Sequence, residues 1–156
     1  MPTMWMMIGA PGVGKSTWIS TQNYNWDITA LISSDAIIDR QAAIQGKTYS
    51  EIFKNVIKDA TAQMNKNLNN AIDNNTDIVW DQTNISVKTR CSKLSQIPAN
   101  YHKVAVFFQT PDNVELQRRL SNRPGKTIPY DIVCNMISSL EIPSESEGFD
   151  EIITVC

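Results

Sequence analysis

Histidine is almost missing from these 156 residues, and cysteine is scarce. The single His102 and the three cysteines, Cys91, Cys134 and Cys156, make no C-x-x-C and no Cys/His cluster, so no metal cluster is expected. An odd number of widely spaced cysteines reads as reduced thiols in a cytoplasmic protein. No apolar run approaches the roughly 20 residues a membrane helix needs, so no membrane partner is expected. The opening Met1-Pro2-Thr3-Met4-Trp5 lacks a basic region, and Lys15 interrupts the apolar stretch behind it, which argues against a signal peptide. Charge of one sign is also lacking. Fourteen Lys and Arg against sixteen Asp and Glu exclude a uniformly basic nucleic-acid coat, though not a local patch.

The chain does have the apolar content, 42%, to bury a core. Its length suits one domain over residues 1–156. The charge it carries is uneven. Residues 88–126 hold eight bases against two acids, whereas residues 127–156 hold six acids and no base. One edge handling anions would produce that polarity; chance clustering on solvated helices would produce it equally well.

Short apolar runs alternate with stretches of helical spacing. Residues 4–8, 30–32, 78–80, 103–108 and 151–155 read as strands, the first of them buried on both faces. Helices are expected over 14–21, 36–45 and 87–94. A long one follows the Thr48–Glu51 capping-box spacing, with apolar residues recurring every three or four positions to Ile72. Two more should start at Pro111, ending near Arg119, and at Pro129 in an N1 position. Strands alternating with helices imply an α/β fold with a parallel sheet covered on both faces. Residues 144–148 are expected to form a mobile loop.

Gly9-Ala10-Pro11-Gly12-Val13-Gly14-Lys15-Ser16-Thr17 matches G-x-x-x-x-G-K-[ST], between an expected strand and an expected helix. The glycines let successive N–H groups curl inward onto phosphate oxygens. Lys15 should reach the β- and γ-phosphates, and Ser16 should place its hydroxyl on Mg²⁺. Binding of ATP or GTP with Mg²⁺ is the expectation. No N-K-x-D or D-x-x-G segment supports a GTPase. A motor or AAA module would be longer and would carry a second acid after the third strand, where Trp80-Asp81-Gln82 stands here.

A parallel sheet would bring the remaining polar residues to one edge. Asp35, just past the second strand, can accept the proton of an attacking hydroxyl, or it can cap the next helix. Asp81 can bind Ser16 or a metal-bound water, and Thr83 and Asn84 can orient an acceptor; alternatively, this stretch turns the chain into the helix at Ser86. Arg119 and Arg123 share a face if their helix persists. They can serve on a closing lid, or simply end a solvated basic helix.

These motifs together resemble the kinase domain of bacteriophage polynucleotide kinase and its bacterial RNA-repair relatives. The likeness runs in order through Gly9–Trp18, Ser33-Ser34-Asp35, Asp81-Gln82-Thr83-Asn84, Arg119, Arg123 and Lys126-Thr127-Ile128-Pro129, and Glu147-Gly148-Phe149-Asp150 looks like the bacterial members. The resemblance implies an adenylate-kinase-like P-loop NTPase fold that phosphorylates a 5′-hydroxyl of DNA or RNA from ATP. It makes Asp35 the general base, sets Lys15 and Ser16 on phosphate and metal, makes Arg123 the lid arginine, and puts Arg119 near the donor nucleotide.

One position departs from that family. An arginine usually follows the base aspartate by three residues and binds acceptor phosphate; here Ile38 stands in that place. Arg40, two residues on, is rotated by about 200° on a helix and is no simple substitute. Acceptor phosphate binding then falls to residues such as Lys88 or Arg90. Alternatively, the acceptor is a nucleoside, nucleotide or modified base, or the chain is an ATP-binding module that acts by changing shape.

Overall fold

The computed structural model describes residues 1–156. Five strands, β1 (Thr3–Ile8), β2 (Thr29–Ile32), β3 (Asp77–Trp80), β4 (His102–Phe108) and β5 (Glu151–Val155), form one sheet in the order β2-β3-β1-β4-β5. Every pairing is parallel. The connecting helices are α1 (Lys15–Thr21), α2 (Ser34–Gln45), α3 (Tyr49–Asp73), α4 (Val87–Leu94), α5 (Asn113–Ser121) and α6 (Tyr130–Ser138). This is the fold that the alternation of strands and helices implies, a P-loop kinase-like sheet.

Side chains alternate across a strand, so one apolar run feeds two cores. Met4, Met6 and Ile8 join Ile78, Trp80 and Phe107 beneath Met64 and Leu68 of α3. Met7 joins Val79, Val104, Val106 and Phe108 on the other face, beside Ile19 of α1 and Ile137 of α6. Burial on both faces explains why the central strands lack polar alternation.

α3 is held at its start by the expected capping box: Thr48 accepts from the Glu51 N–H at 3.2 Å, and Glu51 accepts from the Thr48 N–H at 2.9 Å. α2 stops at Gly46, whose φ of 65° closes the left-handed cap. Several boundaries differ from expectation by one or two residues, for example α2, which starts at Ser34, and α5, which runs to Ser121. Pro111 lies outside α5, because Asp112 takes the N-cap by accepting from the Glu115 N–H. Pro129 is the residue before α6 rather than its first, and α6 ends at Ser138, short of Leu140.

Residues 144–148 are anchored rather than mobile. A 3-10 turn over Glu145–Glu147 carries its own capping box, and Glu147 pairs with the fully buried Arg90. Two ionic hydrogen bonds out of water hold that turn more firmly than its polar composition suggests.

Candidate functional site

The carboxyl ends of β1, β2 and β3 open into a cleft of about 580 Å³. The phosphate loop forms its floor. Gly12 and Gly14 have φ of 85° and 103°, a region L side chains rarely adopt. A Cβ on Gly12 would also meet Leu120 Cδ2 at 3.1 Å, so α5 packs directly on the loop. Ala10 and Val13 anchor it in the core below, and the Gly9 N–H donates to the Thr83 carbonyl at 2.9 Å.

Lys15 Nζ donates to the Gly9 carbonyl at 2.7 Å and to the Ala10 carbonyl at 3.4 Å. It has no carboxylate within ion-pair distance. Burial pushes its pKa down to about 8, with Asp81 and Asp35 pulling the other way.

Two acids face this lysine from neighbouring strand ends. The Asp81 N–H donates to the Ile32 carbonyl at 2.9 Å, which ties the ends of β2 and β3 together. Burial raises the Asp81 pKa, Lys15 opposes that shift, and Asp35 adds to it. Asp35 sits in the first turn of α2 without capping it, since Ser33 accepts from the Ala36 N–H. Its carboxylate is left free to face the cleft, where Oδ1 accepts from the Tyr49 hydroxyl at 2.5 Å. Asp39, one turn further along α2, reaches the same cleft and pairs with Lys126 at 2.8 Å.

Basic residues border the same cleft. Arg118 and Arg119 both pair with Glu115, whose pKa these hydrogen bonds lower to about 2. The second guanidinium also donates to the Gly12 carbonyl at 3.4 Å. α5 ends at Ser121, so Arg123 does not share its helical face with Arg119. Both nevertheless reach the cleft, and Arg123 Nη1 is buried with no hydrogen-bond partner.

Of the residues the sequence nominates, Gly12, Gly14, Lys15, Ser16, Thr17 and Asp35 border the cleft, as do Pro11, Asp81, Thr83, Arg119 and Arg123. Gly9, Ala10 and Val13 support it from beneath. Four nominated acceptor residues do not border the cleft. Arg90 is fully buried, forked on Glu147 and donating to the Asn84 carbonyl. Asn84 is buried too, its amide donating to the Met7 carbonyl at 2.8 Å. Lys88 and Arg40 are exposed and do not border the cleft. Ile38 is buried against α3 with Ala42, Ile52 and Ala60, which puts that position out of reach of any acceptor.

Sequence reasoning missed three contributors. Asp39 comes from a helical position that carries no motif, and Tyr49 lies within the Thr48–Glu51 capping box, a spacing that marks a helix start and not a site. Lys93, its pKa lowered to about 8 by burial, donates to Gln82 Oε1 at 2.7 Å and to Asn84 Oδ1, and so braces the loop after β3. The Glu115 partnership alone had a readable signal, spacings of three and four on one helix.

A lysine partnered only by carbonyls and an orphaned guanidinium nitrogen fit a bound polyanion. Asp81 and the exposed Ser16 border the same floor and suit Mg²⁺, which takes one or two protein oxygens beside substrate phosphates.

Residues 4–142 match the family model AAA_33, described as an AAA domain. Solved structures share the fold. A chain of the Pnkp1/Rnl/Hen1 RNA repair complex superposes with a TM-score of 0.67 at 21% identity, over 89% of this chain and 44% of that one. A candidate kinase from Chloroflexus aurantiacus J-10-fl gives 0.70 at 18% identity, over 99% and 84%. A fungal RNA kinase gives 0.59 at 15%, over 99% and 74%. This chain thus spans less than half of the RNA-repair chain. Neither chain length nor the missing second acid excludes membership of this family, since its model covers a chain of this size ending its third strand in Trp80-Asp81-Gln82. The chain belongs to the AAA_33 family of AAA domains, with a P-loop kinase-like fold.

Proposed function

We propose that residues 1–156 act as one cytoplasmic kinase domain that transfers the γ-phosphate of ATP to an alcohol, with a 5′-hydroxyl of DNA or RNA as the first acceptor to test. One juxtaposition carries the reading: Lys15, Arg119, Arg123 and Asp35 all border one cleft. In the reaction the acceptor oxygen bonds to the γ-phosphorus, the bond to the β–γ bridging oxygen breaks, ADP leaves, and the acceptor proton passes to Asp35. Lys15 and Arg123 hold the donor phosphates, with Arg119 beside the donor nucleotide. Ser16 and Asp81 hold Mg²⁺, which when bound neutralises charge on the phosphate oxygens. Thr83 helps to seat the acceptor.

A second reading, a nucleoside, nucleotide or modified base as acceptor, is favoured by the burial of Ile38 and by the absence of Arg40, Lys88 and Arg90 from the cleft lining. It keeps the chemistry and shortens the substrate. Labelled ATP offered with 5′-hydroxyl oligonucleotides and with free nucleosides separates the two. Label on the oligonucleotide supports the polymer reading; label only on the small acceptor replaces it. ATP hydrolysis that depends on a partner, with no phosphorylated hydroxyl, would instead identify a conformational module.

A further inference from the structure

We propose that Tyr49 is a positioning residue that seats the segment between α5 and α6 and aims the Asp35 carboxylate through one set of contacts, so that docking of this lid and alignment of the base are a single event. The inference rests on the kinase reading given above.

The lid is seated on the start of α3. Gly125 has a φ of 71°, and a Cβ there would stand 2.9 Å from Thr48 Cβ, so only glycine lets the two backbones approach this closely. The Ser50 N–H, one of the first-turn donors a helix cannot satisfy itself, donates to the Gly125 carbonyl at 3.0 Å. The Thr127 N–H donates back to Ser50 Oγ at 3.1 Å. Between these bonds lies Lys126, whose ammonium is 2.8 Å from Asp39 and 4.7 Å from the centre of the Tyr49 ring. Such a cation over an aromatic face is an attractive contact. The ring also packs against Phe53, with centroids 5.5 Å apart.

The far end of the same ring reaches the reacting group. Tyr49 donates to Asp35 Oδ1 at 2.5 Å, which leaves Oδ2 as the oxygen able to take the acceptor proton. A hydroxyl bonded to the carboxylate fixes its rotation. Arg123 lies on the same lid and borders the cleft. Seating residues 125–127 therefore places a donor-side cation and an acceptor-side base together. This arrangement gives a physical route for excluding water only when both are in place.

Two substitutions divide the contact set. Tyr49→Phe removes the hydroxyl and keeps the ring under Lys126 and against Phe53. It should lower kcat about tenfold or more with the KM for ATP unchanged, since a hydrogen bond to a charged group is lost. Amide hydrogen exchange of residues 123–127 should stay as in the parent. Tyr49→Ala should reproduce the kinetic loss and also speed that exchange. A Phe variant with the parent's kcat, or an Ala variant with unchanged lid exchange, overturns the proposal. If the parent chain phosphorylates no hydroxyl, the kinase reading fails on its own, and the exchange measurement still decides whether Tyr49 seats the lid.

Discussion

The guanidinium of Arg90 grips the carboxylate of Glu147 through two hydrogen bonds, 2.7 and 3.2 Å long, with the arginine side chain wholly out of water and the glutamate nearly so. Its third contact, to the Asn84 carbonyl at 2.9 Å, extends the grip to the loop behind the cleft. One pair thus joins α4, the turn before β5 and the loop after β3. Removing one partner leaves a buried charge alone. Arg90→Met should lower unfolding stability by about 3–5 kcal/mol, whereas the double variant Arg90→Met, Glu147→Leu should recover much of it. Urea titration of the three proteins decides between a stability role and an acceptor-binding one.

In the proposed reaction, Asp35 takes the acceptor proton. Asp35→Asn keeps the size of the side chain and a hydrogen-bonding oxygen for Tyr49, but removes the base. Turnover should fall about 10²–10⁴-fold, the range for loss of a general base. The dissociation constant for ATP, measured by calorimetry, should change little. Unchanged turnover would remove Asp35 from the reaction.

The order of strands and helices was legible because apolar runs of strand length contrast with long stripes of helical spacing; residues 49–73 and 4–8 are the clearest cases. The phosphate loop was legible because its glycines and lysine are contiguous. The acceptor side was not. Arg90 and Asn84 look like surface binding groups in a polar stretch, yet their fate depends on Glu147 and Met7, which lie 57 and 77 residues away. No local pattern encodes such a partner. The same limit hid Tyr49, whose bond to Asp35 crosses from one helix start to another. The turn at residues 144–148 was misread for the converse reason: a polar composition that usually marks mobility is here held by a buried charge.

Arg123 and the bases outside the cleft should separate cleanly. Arg123 carries an unpaired buried nitrogen at the cleft, so Arg123→Ala should cost about 10²–10³ in kcat, as for a lost donor to transition-state charge. Arg40→Ala and Lys88→Ala remove exposed cations that do not border the cleft, and each should leave kcat and both KM values near the parent. Steady-state kinetics with one acceptor tests all three. A tenfold rise in acceptor KM for Lys88→Ala would restore it as a phosphate contact.

If the chain binds ATP as proposed, Lys15 should make that binding depend on pH in a definite direction. Burial holds its pKa near 8, below the value of 10.5 for a free lysine. The folded chain therefore binds fewer protons than the unfolded one between about 8 and 10.5. The cost of burying this charge is fully felt below pH 8 and is relieved as pH rises through that window, so Lys15 by itself makes stability climb there. ATP binding runs the opposite way. The triphosphate favours the charged amine, so affinity should weaken as pH passes upward through 8, and binding at pH 8.5 should draw a proton from solution. Calorimetry in two buffers of different ionisation enthalpy measures that uptake. Lys15→Met should abolish the proton uptake and weaken binding, and an uptake that survives the substitution would assign the proton to another group.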